Sequence, residues 1–252
     1  MHTEIKKSVI AMNVQRENFS NYIPPVTKHL LIINAIMWVA CIVFQHLGSR
    51  VDLINLLGLH YFLSDNFMPY QLVSYMFLHS IGGGLGNGLD FRHIFFNMFA
   101  VFMFGRTIET IWGSKKFLVY YLVTGIGAGL IQLLVIHVCV QLFPGSPPIG
   151  PNATQLYNSI APTIGASGAV FGILLAFGMM FPNTPLYLMF IPIPIKAKYF
   201  VIGYGLIELF MGISNRPGDN VAHFAHLGGM LFGIILILYW KKKGNLYGKH
   251  SW

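Results

Sequence analysis

The amino-acid sequence predicts an all-α polytopic membrane protein with six crossings and both termini on the cytoplasmic side. Three observations predict it. Of 252 residues, 55% are hydrophobic and only 10% are charged, where a soluble domain carries about a quarter charged residues; mean hydropathy is +0.62. Six apolar stretches, at about 30–47, 93–111, 117–142, 160–181, 198–213 and 221–240, approach the ~20 residues that cross a ~30 Å hydrocarbon core. With the N-terminus inside, only Arg50, Arg92 and Arg216 of the sixteen Lys and Arg residues fall in outer loops. The other thirteen are cytoplasmic, which is a strong positive-inside bias.

The elements follow in order. Residues 1–28 are polar and mixed and read as a cytoplasmic tail, with neither a cleavable signal peptide nor an organelle presequence. Residues 29–241 form the membrane domain. The outer loop at 48–92 is too apolar for an ordinary connection. Leu53, Ile54, Leu56, Leu57, Leu59, Tyr61 and Phe62 predict amphipathic pieces at the membrane interface. Gly82-Gly83-Gly84 and Gly86-Asn87-Gly88 make a flexible approach to the second span. The outer loop at 144–152 is Pro/Gly-rich and irregular. The fifth span is short and follows Pro192 and Pro194, and residues 242–252 form a basic cytoplasmic tail.

The net charge of +8 is a topology signal and a source of headgroup contacts, because its positions follow the loops. A nucleic-acid partner is excluded on that ground. Cys41 and Cys139 both lie within spans, so neither a disulfide framework nor a zinc-finger spacing is present. No residue pattern specifies an oligomeric state.

Counting residues into each span places four polar side chains in the outer half of the membrane. The second, fourth and sixth spans all run inward. His93 opens the second, with Asn97 one turn on and on the same face. Ser167 lies about two turns into the fourth, and His226 about a turn and a half into the sixth. Polar groups at such depth face a partner or a water-filled cavity. A serine with a histidine suffices for nucleophilic catalysis, the imidazole taking the hydroxyl proton and later returning it to the leaving amine. The oxyanion formed needs preorganised donors, and the Ser167 N–H, His93 and Asn97 are candidates. Gly165 and Gly168 leave room for a peptide carbonyl at Ser167. Gly168, Gly172 and Ala176 make one smooth helix face, and Gly229 and Gly233 make another beside His226. Packing these small-residue faces together would bring Ser167 within hydrogen-bond reach of His226.

Gly165-Ala166-Ser167-Gly168, the A-H-x-x-G-x-x-x-G run through Ala225, His226, Gly229 and Gly233, and His93-x-x-x-Asn97 together resemble the motifs of the rhomboid intramembrane serine proteases, in their six-span bacterial form. The segment GSKKFLVYY, Gly113 to Tyr121, resembles the link between that family's second and third spans. The likeness covers about residues 30–240. It implies a six-helix rhomboid bundle that hydrolyses peptide bonds in or near transmembrane segments of membrane-protein substrates. It implies a Ser167–His226 dyad, an oxyanion hole from His93, Asn97 and the Ser167 N–H, and no cofactor. A tyrosine that often follows the family's serine by four residues is Phe171 here, able to stack on His226 but without a hydroxyl.

Rival sites are weaker. His223 and His226 form H-x-x-H, with His79 and His93 also on the outer side, yet no H-E-x-x-H is present and no metal is expected. His223 is expected at the interface, near the mouth of the site. Among the acids, Glu109 lies at the far end of the second span and Asp219 in the loop above His226. Glu208, in the outer half of the fifth span, has the depth to orient His226 or to serve a structural hydrogen bond. The expected substrate route passes the fifth span, with residues 214–220 as a cap. A non-catalytic rhomboid-like binding protein is the main alternative; a transporter would show repeats or several midplane charges. A bacterial cytoplasmic membrane is the expected location.

Overall fold

The computed structural model describes residues 23–46, 51–82, 89–142, 153–188, 191–214 and 221–246. Expectations for most of the N-terminal tail, the glycine runs from Gly83 to Gly88, the 144–152 loop, the 215–220 cap with Asp219 and the last six residues lie outside them. The elements are α1 (Pro25–His46), α2 (Leu53–Leu57), α3 (Gln71–Ser74), α4 (Arg92–Ala100), α5 (Arg106–Trp112), α6 (Ser114–Leu142), α7 (Ala153–Ser159), α8 (Ser167–Met180), β1 (Pro185–Leu188), β2 (Ile191–Lys196), α9 (Ala197–Ser214) and α10 (His223–Lys242). A π-turn at Val101–Gly105 joins α4 to α5, so the second span is one continuous rod.

Among the described residues, five helices of 18 to 29 residues are long and apolar enough to cross a membrane: α1, α4 with α5, α6, α9 and α10. Their outer faces carry exposed Ile36, Leu134, Leu206, Phe210 and Ile235, as a lipid solvent requires. The chain is a multi-pass integral membrane protein.

The fourth span departs from its expected form. Residues 160–181 were expected to cross as one helix, with Ser167 two turns in; helix α8 instead begins at Ser167 and has fourteen residues. The reason lies upstream. Thr163 exchanges both backbone hydrogen bonds with Leu59, each 2.9 Å, and the Gly165 N–H donates to the Tyr75 carbonyl at 2.9 Å. Gly165 then takes φ +129°, a conformation open to glycine. These bonds to Leu59 and Tyr75 give the extended approach protein partners for its backbone in place of a helix. Ten of the fourteen α8 residues are buried, so this short helix stands inside the bundle, against α6 and α10.

The loop at 51–82 is less superficial than the interfacial pieces expected of it. Leu56 and Phe62 face outward, but Leu59, Tyr61, Tyr75, Met76 and Leu78 are buried. Asp52 caps α2 by accepting from the Ile54 and Asn55 N–H groups. Gln71 ties the loop to itself, donating to the Leu56 and Asn66 carbonyls and accepting from the His60 and Met68 N–H groups. Between α8 and α9 an antiparallel hairpin pairs Pro185 with Lys196 and Leu186 with Ile195. Its prolines sit on a two-stranded ribbon, where a missing N–H is affordable.

Glu109 secures the basic end of the bundle. Its buried carboxylate accepts from the Val26 N–H at 2.9 Å and from the Thr27 N–H, the Thr27 hydroxyl and the Ser114 hydroxyl, each at 2.7 Å. One side chain thus serves the unsatisfied first turn of α1 and the start of α6. Hydrogen bonds to a charged group contribute about 1.5–3 kcal/mol each. Glu109→Gln removes the charge and turns one acceptor into a donor facing donors. It is expected to cost about 3 kcal/mol, read as a lower midpoint of thermal unfolding in detergent; an unchanged midpoint would show that these contacts add nothing.

Candidate active site

Ser167 is the first residue of α8, with Ala166 as a cap that offers no side-chain hydrogen bond. The first intrahelical bond runs from the Val170 N–H to the Ala166 carbonyl. The N–H groups of Ser167, Gly168 and Ala169 therefore have no acceptor within the helix, and the positive end of the helix dipole lies beside the Ser167 hydroxyl.

His226 stands one turn into α10, and its Nε2 lies 2.8 Å from Ser167 Oγ. The ring is held on its face by Phe171, with centroids 4.3 Å apart and planes within 7°. Phe171 follows Ser167 by one helical turn, so one face of α8 carries both the hydroxyl and the ring that orients its partner. Stacking of this kind needs no hydroxyl.

Glycines set the helix spacing. A Cβ at Gly229 would overlap the Gly168 carbonyl, so α8 and α10 touch backbone to backbone just below the Ser167–His226 pair. The remaining small residues pair differently from the expected face-to-face match. Gly172 rests on Thr124, where a Cβ would come within 2.7 Å of Thr124 Cβ, and Gly233 faces Tyr120. Both partners belong to α6, whose own Ala128 lies against Gly168. The third span therefore shares the close packing that the motifs attribute to the fourth and sixth alone. Gly229→Ala pushes a methyl into a backbone carbonyl that cannot rotate away. It is expected to cost about 1–3 kcal/mol, while Gly203→Ala, in open space, should stay within about 0.5 kcal/mol. Equal thermal midpoints for the two variants would contradict the close approach.

His93 and Asn97 share the α4 face. The Ser80 N–H donates to His93 Nδ1 at 3.2 Å, which leaves the ring proton on Nε2. That nitrogen points at Gly165, where a Cβ would sit 2.8 Å from His93 Nε2 and 3.5 Å from Ser167 Oγ. Both groups thus border the one spot that a side chain at residue 165 would fill. Asn97 is buried, and its amide donates to the His93 carbonyl at 2.8 Å. That bond uses one of its two amide protons. His79 packs edge-on against His93, with centroids 5.0 Å apart. Burial pushes its imidazole down to about 3, so the ring is neutral and its Nε2–H donates to Asn34 Oδ1 at 2.9 Å.

Two further residues join the site. Glu208 on α9 is buried, and its Oε2 lies 2.8 Å from His226 Nδ1 and 2.6 Å from His223 Nδ1. His223 is drawn inward onto Glu208, its side chain 10% exposed. The signal was present in the H-x-x-H spacing, which puts both rings on one helix face. Donor atoms of Glu208, His223 and His226 lie within 4.8 Å of one another, the ligand number of a catalytic zinc site. Here the two Nδ1 atoms meet the same carboxylate oxygen in short hydrogen bonds.

The arrangement is a hydroxyl, an imidazole and a carboxylate in series, with helix N–H groups and a second imidazole N–H beside the hydroxyl. Such a set can activate an oxygen nucleophile and stabilise an oxyanion. A family profile described as "Rhomboid domain" matches residues 66–243. The chain is 33% identical over 154 residues to "RHOMBOID-like protein 12, mitochondrial" of Arabidopsis thaliana, covering 60% of this chain and 43% of that protein. It is 28% identical over 163 residues to "Rhomboid protein 1, mitochondrial" of Saccharomyces cerevisiae, covering 65% and 42%. It is 29% identical over 163 residues to "Presenilin-associated rhomboid-like protein, mitochondrial" of Homo sapiens, covering 61% and 37%. The matched region thus spans about two fifths of the length of these relatives.

Proposed function

The chain belongs to the rhomboid family, and from that premise we propose that it is an intramembrane serine endopeptidase acting on transmembrane segments of other membrane proteins. The observation that carries the reading is the 2.8 Å contact between Ser167 Oγ and His226 Nε2 within the bundle.

In the first half-reaction Ser167 Oγ attacks the scissile carbonyl carbon as its proton passes to His226 Nε2. The carbonyl oxygen becomes an oxyanion, which the Ser167 N–H and His93 Nε2–H stabilise, with the second Asn97 amide proton as a further donor. The C–N bond then breaks, the proton moves from Nε2 to the leaving amine, and an acyl ester remains on Ser167. In the second half-reaction water attacks the ester with His226 as base, releasing the carboxylate product and restoring the hydroxyl. Each donor is fixed before substrate arrives, so little reorganisation accompanies the charge. His93 Nε2 is held to its task by the Ser80 N–H behind it. Every group in the scheme belongs to the chain, and no metal or cofactor takes part.

A membrane-embedded helix hides its peptide bonds, so the substrate must unwind locally to present one at Ser167. The short α9 carries a bare apolar outer face at Ile202, Leu206 and Phe210, which supports access past this helix. The positive-inside bias supports an N-in, C-in topology, with Ser167 in the outer half of the membrane. The relatives named above are mitochondrial proteins, and the expectation of a bacterial cytoplasmic membrane draws no support from them.

The test is cleavage of a reconstituted single-span reporter in proteoliposomes, with the cut bond located by mass spectrometry. Cleavage within or next to the span that persists in EDTA is expected. Binding of the reporter without a cut would favour a non-catalytic role.

A further inference from the structure

Helix α9 carries one acid, Glu208, and it is buried at the back of the Ser167–His226 pair. We propose that Glu208 is a positioning residue that holds His226 in the tautomer able to accept the Ser167 proton, making a Ser–His–Glu series out of the pair. This rests on the protease reading and adds to it a third group and the reason for its place.

The geometry is specific. Glu208 Oε2 meets His226 Nδ1 at 2.8 Å, and His226 Nε2 meets Ser167 Oγ at 2.8 Å. The carboxylate sits on one side of the ring and the hydroxyl on the other. A carboxylate only accepts, so Nδ1 must carry the ring proton. Nε2 then presents its lone pair to the serine hydroxyl, which is the tautomer a general base requires. When the proton arrives from Ser167, the imidazolium keeps its Nδ1–H on the carboxylate, and Glu208 stays ionised throughout.

His223 explains how one buried oxygen can be relied on as an acceptor. Its Nδ1 meets the same Oε2 at 2.6 Å. Two ring nitrogens on one oxygen are accommodated when both donate, which leaves no proton on Oε2 itself. The i, i+3 spacing of the two histidines places both on the α10 face toward α9. The second histidine thus supplies a further hydrogen bond to the buried, charged carboxylate. The carboxylate is in turn fixed to α9, so the tautomer of His226 depends on how α9 sits against α10. Phe171 holds the ring's plane, but a stacked ring can still carry its proton on either nitrogen. Plane and tautomer have separate sources, and Glu208 is the source of the second.

The experiment compares the 252-residue chain with its Glu208→Gln and Glu208→Asp variants in nanodiscs, by turnover of a single-span reporter and by 15N NMR of the histidines. Gln can turn its NH2 toward Nδ1 and so favour the opposite tautomer, with Nε2 protonated and useless as a base. Glu208→Gln is expected to lower kcat about a hundredfold with KM within about twofold, the range of a general-base contribution. Glu208→Asp should recover at least about tenfold of that loss, since the charge returns. The His226 signals should report an Nδ1–H ring in wild type and lose that signature in Glu208→Gln. Glu208→Gln turnover within about threefold of wild type, a loss confined to KM, or a wild-type ring protonated on Nε2 would each overturn the proposal. If Glu208→Gln does not fold, the wild-type tautomer and Glu208→Asp turnover decide. If wild type cleaves nothing, the protease reading fails by itself, and the NMR comparison still decides whether Glu208 sets the tautomer.

Discussion

Ser167→Ala is expected to reduce cleavage of a membrane-embedded reporter by roughly a factor of 10^5 or more, at unchanged substrate binding. Removing a nucleophile outright has effects of this order in serine hydrolases. The variant deletes one oxygen from a half-buried position at the start of α8, leaving the Gly168–Gly229 contact and the Phe171–His226 stack in place. Its thermal midpoint should therefore stay close to that of wild type, with a cost within about 1 kcal/mol. Loss of cleavage with a preserved midpoint identifies a chemical role. Residual turnover above about one part in a hundred, with the fold intact, would place the nucleophile elsewhere.

His226→Gln is expected to reduce turnover by a similar factor, about 10^4-fold or more. Glutamine fills much of the ring's volume and can still donate toward Glu208, so the buried carboxylate keeps a partner. His226→Ala would be a poorer test. It opens a cavity against Phe171 and leaves Glu208 with one of its two histidines, and leaving a buried charge short of a partner costs several kcal/mol by itself. The decisive comparison is the double variant Ser167→Ala, His226→Gln. Groups that act as one unit are not additive, so the double should be no slower than either single. Multiplied losses would mean that the 2.8 Å contact is not a functional one.

Much of this site is legible in the sequence because membrane depth can be counted along a helix. Ser167, His226 and His93 come from the stretches read as the fourth, sixth and second spans, and residue counting with charge bias assigns them one level; Ser167, expected two turns into a helix, instead opens α8. Backbone hydrogen bonds to distant segments are not written in a hydropathy run. The segment at 160–166 continues the apolar run with Pro162 and Gly165 as its break signals, and its pairing with Leu59 and Tyr75 shows why α8 starts at Ser167. The hairpin after α8 is hidden for a similar reason, since its proline-rich second strand reads simply as a break before α9. The small residues of α6 were invisible to motif matching because Ala128 and Thr124 belong to no pattern, yet they pack on Gly168 and Gly172. Glu208 was visible as a buried acid of compatible depth. Its two histidine partners depend on the rotation of α9 about its axis, which a span of nearly uniform apolarity does not encode.

The most direct measurement of the central claim is labelling of the detergent-purified protein by a fluorophosphonate probe, with Ser167→Ala and His226→Gln beside it. The probe reacts with a serine oxygen only when a neighbouring base has raised its nucleophilicity. Labelling of wild type, mapped to Ser167 by peptide mass and absent from both variants, is the predicted result. Labelling that survives in Ser167→Ala, or a folded wild type that takes up no probe, would contradict it.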